Sequence, residues 1–155
     1  MKRGLAIAAG LALVAVLVAG GAMRGLSHDP ALWHVDPTVA ERTGKPNDVL
    51  AAPPQSTAAA PDLVLSPSDG GAALARLHAV ALSAPRVDLV AGDPAEGFVT
   101  YVQRSAVLGF PDYVSVRRVE TGLAIWSRSR FGYSDLGVNR ARVEGWLAEA
   151  GLSFD

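Results

Sequence analysis

The stretch that decides the fold is residues 113–130, YVSVRRVETGLAIWSRSR. Apolar and polar residues alternate over 113–119, and a period of two is typical of a strand with one buried face. A short connection at 120–122 follows, and residues 123–130 then run back. Because connections of this length join antiparallel strands, the stretch predicts a β-hairpin.

The neighbouring segments extend this hairpin into a complete domain. Residues 98–104 are rich in β-branched and aromatic residues, and residues 86–90 form a shorter run of the same kind, so both predict strands. A further short strand is expected at 63–65. Apolar residues spaced three, four and seven apart predict helices at 72–82 and 136–150. The sequence therefore predicts an α+β domain, in which one antiparallel meander sheet is covered by two helices in a helix-grip-like arrangement.

Residues 25–61 predict a proline-rich tether ahead of this domain, which is expected to occupy 62–155. Proline lacks a backbone donor and favours extended conformations, so the segment is expected to run over a surface, and its low-complexity stretch at 53–61 is not expected to join a strand ladder. The tether contains an apolar island around Trp33. Two placements of Trp33 stay open: the headgroup level of a membrane, or packing back on the domain.

An uncharged run at 4–23 follows two basic residues and is closed by Arg24. Twenty apolar residues at helical rise just cross the roughly 30 Å hydrocarbon core, so residues 1–24 predict a single transmembrane anchor. The alternative is a cleaved export signal that ends near 19–21. The basic residues at the start keep the N-terminus in the cytoplasm. We therefore expect a single-pass protein of the cytoplasmic (inner) membrane, with its domain in the periplasm.

The composition excludes several kinds of chemistry. The chain has no cysteine, which removes disulfides, thiol nucleophiles and cysteine-based metal sites. Its three histidines are scattered, which is not the converging ligand set that a metal centre needs, so no metal and no cofactor are expected. No nucleophile elbow, phosphate-binding loop or dinucleotide fingerprint is present, and no catalytic residue is nominated. A net charge of −1 argues against a nucleic-acid partner.

The segment 128–147, RSRFGYSDLGVNRARVEGWL, carries four arginines around a predicted strand end, a glycine-rich turn and a helix start. Asp135 or Ser134 is placed to cap this helix. One interpretation is an anion site, because guanidinium groups bind carboxylate or phosphate in a bidentate manner and a helix N-terminus adds amide donors. Its candidate residues are Arg128, Arg130, Asp135, Asn139 and Arg142.

A second interpretation of the same residues is structural. The arginines would pair internally with acids that are close in sequence and lock the last helix onto the sheet. The acids available for this are Asp112, Glu120, Asp135 and Glu144. Burial of an unpaired arginine is costly, so internal pairing is the favoured interpretation.

The run at 127–147 resembles the C-terminal signature of the bacterial and plastid family of domain of unknown function 1499, and the resemblance extends over roughly 46–149. Relatives often carry a cysteine near the segment 46–48, and this chain has none there, so the resemblance implies no redox or metal role. The residues that carry the resemblance are Arg128, Ser129, Arg130, Gly132, Ser134, Asp135, Gly137, Asn139, Arg142, Val143 and Glu144.

Two functions follow from these observations. The first is a membrane-anchored, exported and non-catalytic accessory module, held to the membrane by residues 4–23, that binds another membrane protein or complex. The predicted anchor, the tether and the lack of catalytic motifs favour it. The alternative is a lipid- or small-anion-binding domain that uses the arginine cluster, with the apolar run at 107–110 lining its pocket.

Overall fold

The computed structural model describes residues 2–155, with the side chains of residues 7, 10, 11 and 14–155. Its α-helices are α1 (Lys2–Arg24), α2 (Pro30–Trp33), α3 (Gly70–Ser83) and α4 (Val138–Glu149). Its strands are β1 (Asp48–Ala52), β2 (Leu63–Val64), β3 (Val87–Asp93), β4 (Phe98–Arg104), β5 (Pro111–Val119) and β6 (Gly122–Ser129). The strands form one six-stranded sheet in the order β2-β1-β6-β5-β4-β3.

The sheet is mixed, and the predicted fold class is therefore wrong. Strands β3 to β6 form an antiparallel meander, but β1 adds to the free edge of β6, with Leu50 opposite Trp126. Strand β2 then pairs with β1 in parallel, with Ala51 opposite Leu63. The edge of β6 explains the addition, because an uncovered strand edge presents a row of unpaired donors and acceptors.

The segment 25–61, which was predicted as a tether, is not a free linker, because it contains β1 and packs against the sheet. Its prolines do not keep the segment extended, since two of them begin short helical turns. Asp29 caps α2 ahead of Pro30, and Asp36 caps a 3₁₀ turn that begins at Pro37. Proline suits the first helical position, where its missing N–H has no partner to lose.

In the part of the chain that the structure describes, no helix is both long enough and apolar enough to cross a membrane. The predicted transmembrane helix in residues 1–24 is therefore wrong; Met1 itself lies outside the described residues. The prediction depended on the absence of charge over 4–23, but more than half of these residues are alanine or glycine. Such small side chains contribute little apolar area.

The two faces of the sheet differ in what covers them. Helices α3 and α4 cover one face and enclose the main hydrophobic core, which includes Leu74, Leu77, Tyr101, Val114, Ile125, Val143 and Leu147. The segment from Leu26 to Val39 covers part of the opposite face, where Trp33 stacks on Tyr113 with ring centroids 4.0 Å apart. Trp33 thus packs back on the domain.

Candidate functional site

Strand β6 divides the candidate residues between the two faces of the sheet. Side chains alternate along a strand, so Ser127 and Ser129 point towards α4 while Arg128 and Arg130 point the other way. From the helix side, Arg142 donates to the hydroxyl of Ser127 at 3.0 Å. The structure therefore brings Asp135, Asn139 and Arg142 together on one face, and it separates them from Arg128 and Arg130.

Asn139 is the centre of the helix-side group, and its side chain is fully buried. Its carboxamide oxygen accepts hydrogen bonds from Ser127, at 2.6 Å, and from Arg142. Its carboxamide nitrogen lies within 3.0 Å of three acceptors, which are the carbonyl oxygen of Asn47, the hydroxyl of Ser129 and the carboxylate of Asp135. Asn139 thus connects α4 to β6 and to the segment that leads into β1.

Arg142 is internally paired in the same group. Its guanidinium lies 2.7 Å from the carboxylate of Asp112, and the two side chains are 6% and 13% exposed. It also donates to the side-chain oxygen of Gln103. Asp112 is one of the four acids that internal pairing would use. The positive charge of Arg142 is therefore neutralised inside the fold, and the ion pair holds α4 to the sheet.

Asp135 uses the amide donors at the start of α4. Its carboxylate accepts from the backbone N–H of Gly137 at 3.0 Å and of Asn139 at 2.8 Å. Gly137 itself occupies the N-cap position with φ 83°, a left-handed conformation that suits glycine, and it has no side chain to cap the helix. Asp135 therefore already occupies several of the amides that an anion site would need at this helix end.

Arg128 lies on the other face and has no such counter-charge. Its side chain donates to the hydroxyl of Ser115 at 3.1 Å and to the carbonyl of Trp33 at 2.6 Å. The guanidinium carbon lies 4.1 Å from the centroid of the Trp126 ring. Among the described residues, no carboxylate forms an ion pair with Arg128, although the residue is only 6% exposed. Burial lowers the pKa of Arg128 to about 10, so it stays charged at neutral pH.

A cavity of about 440 Å³ opens beside Arg128 on this face. Its aromatic walls are Trp33, Trp126 and Phe131, and its cationic side chains are Lys45, Arg128 and Arg130. The acid that lines it, Asp48, is already engaged: Arg42 donates two hydrogen bonds of 2.9 Å to its carboxylate, and the indole N–H of Trp126 donates another of 2.8 Å. The unneutralised charge at the cavity is therefore positive.

Arg130 connects this cavity to the N-terminal segment. Its guanidinium donates to the carbonyl of Ser27 at 3.2 Å and lies 5.2 Å from the ring centroid of Trp33. Sequence reasoning missed Trp33 and Lys45 as site residues, because both belong to the segment predicted as a tether. The apolar island around Trp33 was the signal available, since an isolated apolar cluster in a polar linker favours packing on a surface.

His28 fastens the N-terminal segment beside the cavity. Its Nδ1 lies 2.7 Å from the hydroxyl of Tyr113, and its Nε2 accepts a hydrogen bond from Arg104. Because arginine only donates, the neutral ring with its proton on Nδ1 fits both contacts. Burial and the positive charges of Arg104 and Arg130 lower the pKa of His28, while Asp88 acts in the opposite direction.

We expect the free energy of unfolding to fall as the pH drops below about 6.5, the ordinary pKa of histidine. A lowered pKa in the folded state means that the unfolded chain binds the proton more readily, so the stabilisation is complete above that value and is lost as the pH falls towards the folded pKa. His34 contributes in the same direction. Urea unfolding at several pH values between 5 and 8 gives the free energy of unfolding at each pH, and this free energy should depend less on pH in His28→Gln than in the wild type. An equal pH dependence in the two proteins would contradict the lowered pKa of His28.

One comparison with known proteins identifies the family. The family model described as "Protein of unknown function (DUF1499)" matches residues 38–149, more than two thirds of the chain. The chain belongs to the DUF1499 family. This confirms the family that the C-terminal resemblance indicated. The DUF1499 match spans all six strands and contains Lys45, Arg128 and Arg130, whereas Trp33 lies before it. No curated protein and no solved structure matches the chain.

Proposed function

We propose that this protein binds a small organic anion in the cavity beside Arg128. The observation that carries the proposal is the charge of Arg128, which is buried on the wall of the cavity without an ion-pair partner among the described residues, while the acid whose charge acts on it, Asp48, is bound by Arg42 and Trp126. A buried charge without a counter-charge is costly, and a guanidinium group suits carboxylate and phosphate. An anionic group in the cavity would supply the counter-charge.

The remaining walls favour an anion with an apolar part. Trp33, Trp126 and Phe131 offer aromatic surface, which suits a ring or a short hydrocarbon chain. Lys45 and Arg130 offer two further positive charges near the same space. A volume of about 440 Å³ falls in the usual range for small-molecule sites. We therefore propose an amphipathic ligand with one carboxylate or phosphate group.

The accessory role and the periplasmic location stay predictions from the sequence. An accessory module would present a surface to its partner protein, whereas the uncompensated charge and the aromatic walls favour a small ligand.

We expect members of a panel of aromatic carboxylates, fatty acids and organic phosphates to raise the Tm of the wild-type protein. The same compounds should leave the Tm of Arg128→Met unchanged. Methionine keeps much of the apolar bulk and removes the charge. A ligand at a hundred times its Kd stabilises the folded state by about 2.7 kcal/mol, which is readily seen in a thermal shift. Isothermal titration calorimetry would then give the affinity of each hit.

Arg118→Met is the matched control, because Arg118 is an exposed arginine on β5 that does not line the cavity. It should bind the same anions as the wild type. The proposal fails if no anion of the panel shifts the wild-type protein, or if Arg128→Met and Arg118→Met bind equally well.

A further inference from the structure

Exposed apolar side chains gather at one end of the domain, on the loop between β4 and β5 and the loop between β6 and α4. The two loops meet there, with the rings of Phe110 and Phe131 centred 6.2 Å apart. We call this surface the apolar tip; its side chains, each at least 40% exposed, are Val107, Phe110, Phe131, Tyr133, Leu136 and Val138. Several large apolar groups held together in water point to an interaction site.

Leu136 is the most informative residue of the apolar tip. Its φ is 56°, in the left-handed region, and its side chain is 94% exposed. A residue with a Cβ is disfavoured there, and an exposed leucine gains no packing within the fold that would offset the strain. Backbone strain that no packing within the fold offsets favours a role for Leu136 in contacts with another molecule.

We propose that the apolar tip docks on the surface of a lipid bilayer that carries anionic headgroups, with Tyr133 and Leu136 entering the interface. Charge complementarity supports this occupant. Arg130 directly precedes the tip, and Arg24 donates to the carbonyl of Val107 within it. Asp112 is paired with Arg142, and Asp135 is hydrogen-bonded only to neutral N–H groups, so Arg24 and Arg130 outnumber the one acid beside the tip that has no ion pair among the described residues. The charge offered to a partner is therefore positive, as anionic headgroups require.

The shape of the apolar tip also favours lipid over a folded partner. Five of its six side chains project from two loops and the sixth, Val138, from the first residue of α4, and a fluid interface accepts such projections without a complementary pocket. Tyr133 combines an apolar ring with a polar end, which suits the headgroup level. Helix α1 lies beside the β4–β5 loop, with Gly20 near its carbonyl oxygens, and Leu17 and Val18 of this helix are also exposed. This docking does not depend on the ligand proposed for the cavity.

Because the natural chain has no cysteine, a single introduced cysteine in the full chain labels one site. An environment-sensitive fluorophore is placed at Leu136→Cys, and Val39→Cys is the control. Val39 is also an exposed apolar residue, on the 3₁₀ turn that α2 precedes. With vesicles of phosphatidylcholine and phosphatidylglycerol, we expect a blue shift at position 136, quenching by nitroxide-labelled lipids, and neither effect at position 39.

Leu136→Gly separates docking from folding. Glycine relieves the left-handed strain, so this variant should fold at least as well as the wild type while its partitioning to vesicles falls about tenfold. Val39→Ser should partition like the wild type, and so should Arg128→Met, which disrupts the cavity alone.

Three outcomes would overturn the proposal. The label at position 136 could stay in water with vesicles of phosphatidylcholine and phosphatidylglycerol and also with vesicles of pure phosphatidylcholine. It could shift equally with pure phosphatidylcholine, which would remove the role of anionic headgroups. It could also shift with rising protein concentration before any vesicle is added, which would make a second copy of the chain the occupant.

Discussion

Arg142→Met is expected to lower the free energy of unfolding by about 3–5 kcal/mol. The guanidinium of Arg142 lies 2.7 Å from the carboxylate of Asp112, and both side chains are largely buried. The variant leaves that carboxylate in a low-dielectric site without its counter-charge. Since small domains are stable by only about 5–15 kcal/mol, much of the stability would be lost. Urea unfolding followed by circular dichroism measures the change.

Arg140→Met is the matched control, two residues earlier on the same helix. Its partner is Glu144, four residues on, and the two side chains are 49% and 37% exposed. Exposed pairs contribute little, so we expect a loss of less than about 1 kcal/mol. Adding Asp112→Asn to Arg142→Met should recover part of the lost stability, because no bare charge stays buried. Equal losses for Arg140→Met and Arg142→Met would contradict the buried ion pair.

Asn139→Ala is expected to cost about 3 kcal/mol or more. Its carboxamide has five partners within hydrogen-bonding distance, three of which share its two N–H donors, and alanine leaves these buried partners without a replacement. Each buried polar group without a partner costs about 1–3 kcal/mol. The same residue joins α4 to β6 and to the segment before β1. Urea unfolding should therefore show the loss together with reduced hydrogen-exchange protection in α4.

Two further variants make this second prediction specific. Asn139→Asp keeps the shape but removes the donor that Asp135 and Ser129 use, and it places a second carboxylate beside Asp135, so it should also destabilise the protein. Ser134→Ala removes only the exposed acceptor for the N–H of Leu136 and should cost less than about 1 kcal/mol. An Asn139→Ala protein as stable as Ser134→Ala would refute the central role of Asn139.

Much of the chain after residue 62 could be predicted, because its signals are local. The alternation at 113–119 and the short connection at 120–122 were sufficient to predict the hairpin that β5 and β6 form. Helix α4 lies within the predicted range, since its apolar spacing is a property of neighbouring residues. In each case the deciding contacts join residues that are close in sequence.

Strand β1 could not be predicted in the same way. Its sequence, DVLAA, is short, ends in two alanines and lies between prolines, so neither its pattern nor its propensity indicates a strand. It forms because the edge of β6 supplies backbone partners, as the pairing of Leu50 with Trp126 illustrates. That interaction joins distant parts of the chain, and missing it made the predicted fold class wrong.

In the candidate site as well, local patterns predicted one part and contacts between distant segments decided the other. The alternation of side chains along a strand is enough to place Arg128 and Arg130 on the side of Trp126, opposite Ser127. It carried no information on what would cover either side. The cavity exists because the N-terminal segment folds back and places Trp33 over Tyr113.

By itself, the sequence determined the family, the β5–β6 hairpin and the arginine-rich junction that follows it. Only the tertiary structure decided which arginine is neutralised. Arg142 meets Asp112 inside the fold, whereas Arg128 is buried among neutral acceptors beside a cavity. The physical reason is that the state of a charge depends on its burial and on the groups within a few ångströms, and distant segments of the chain supply both.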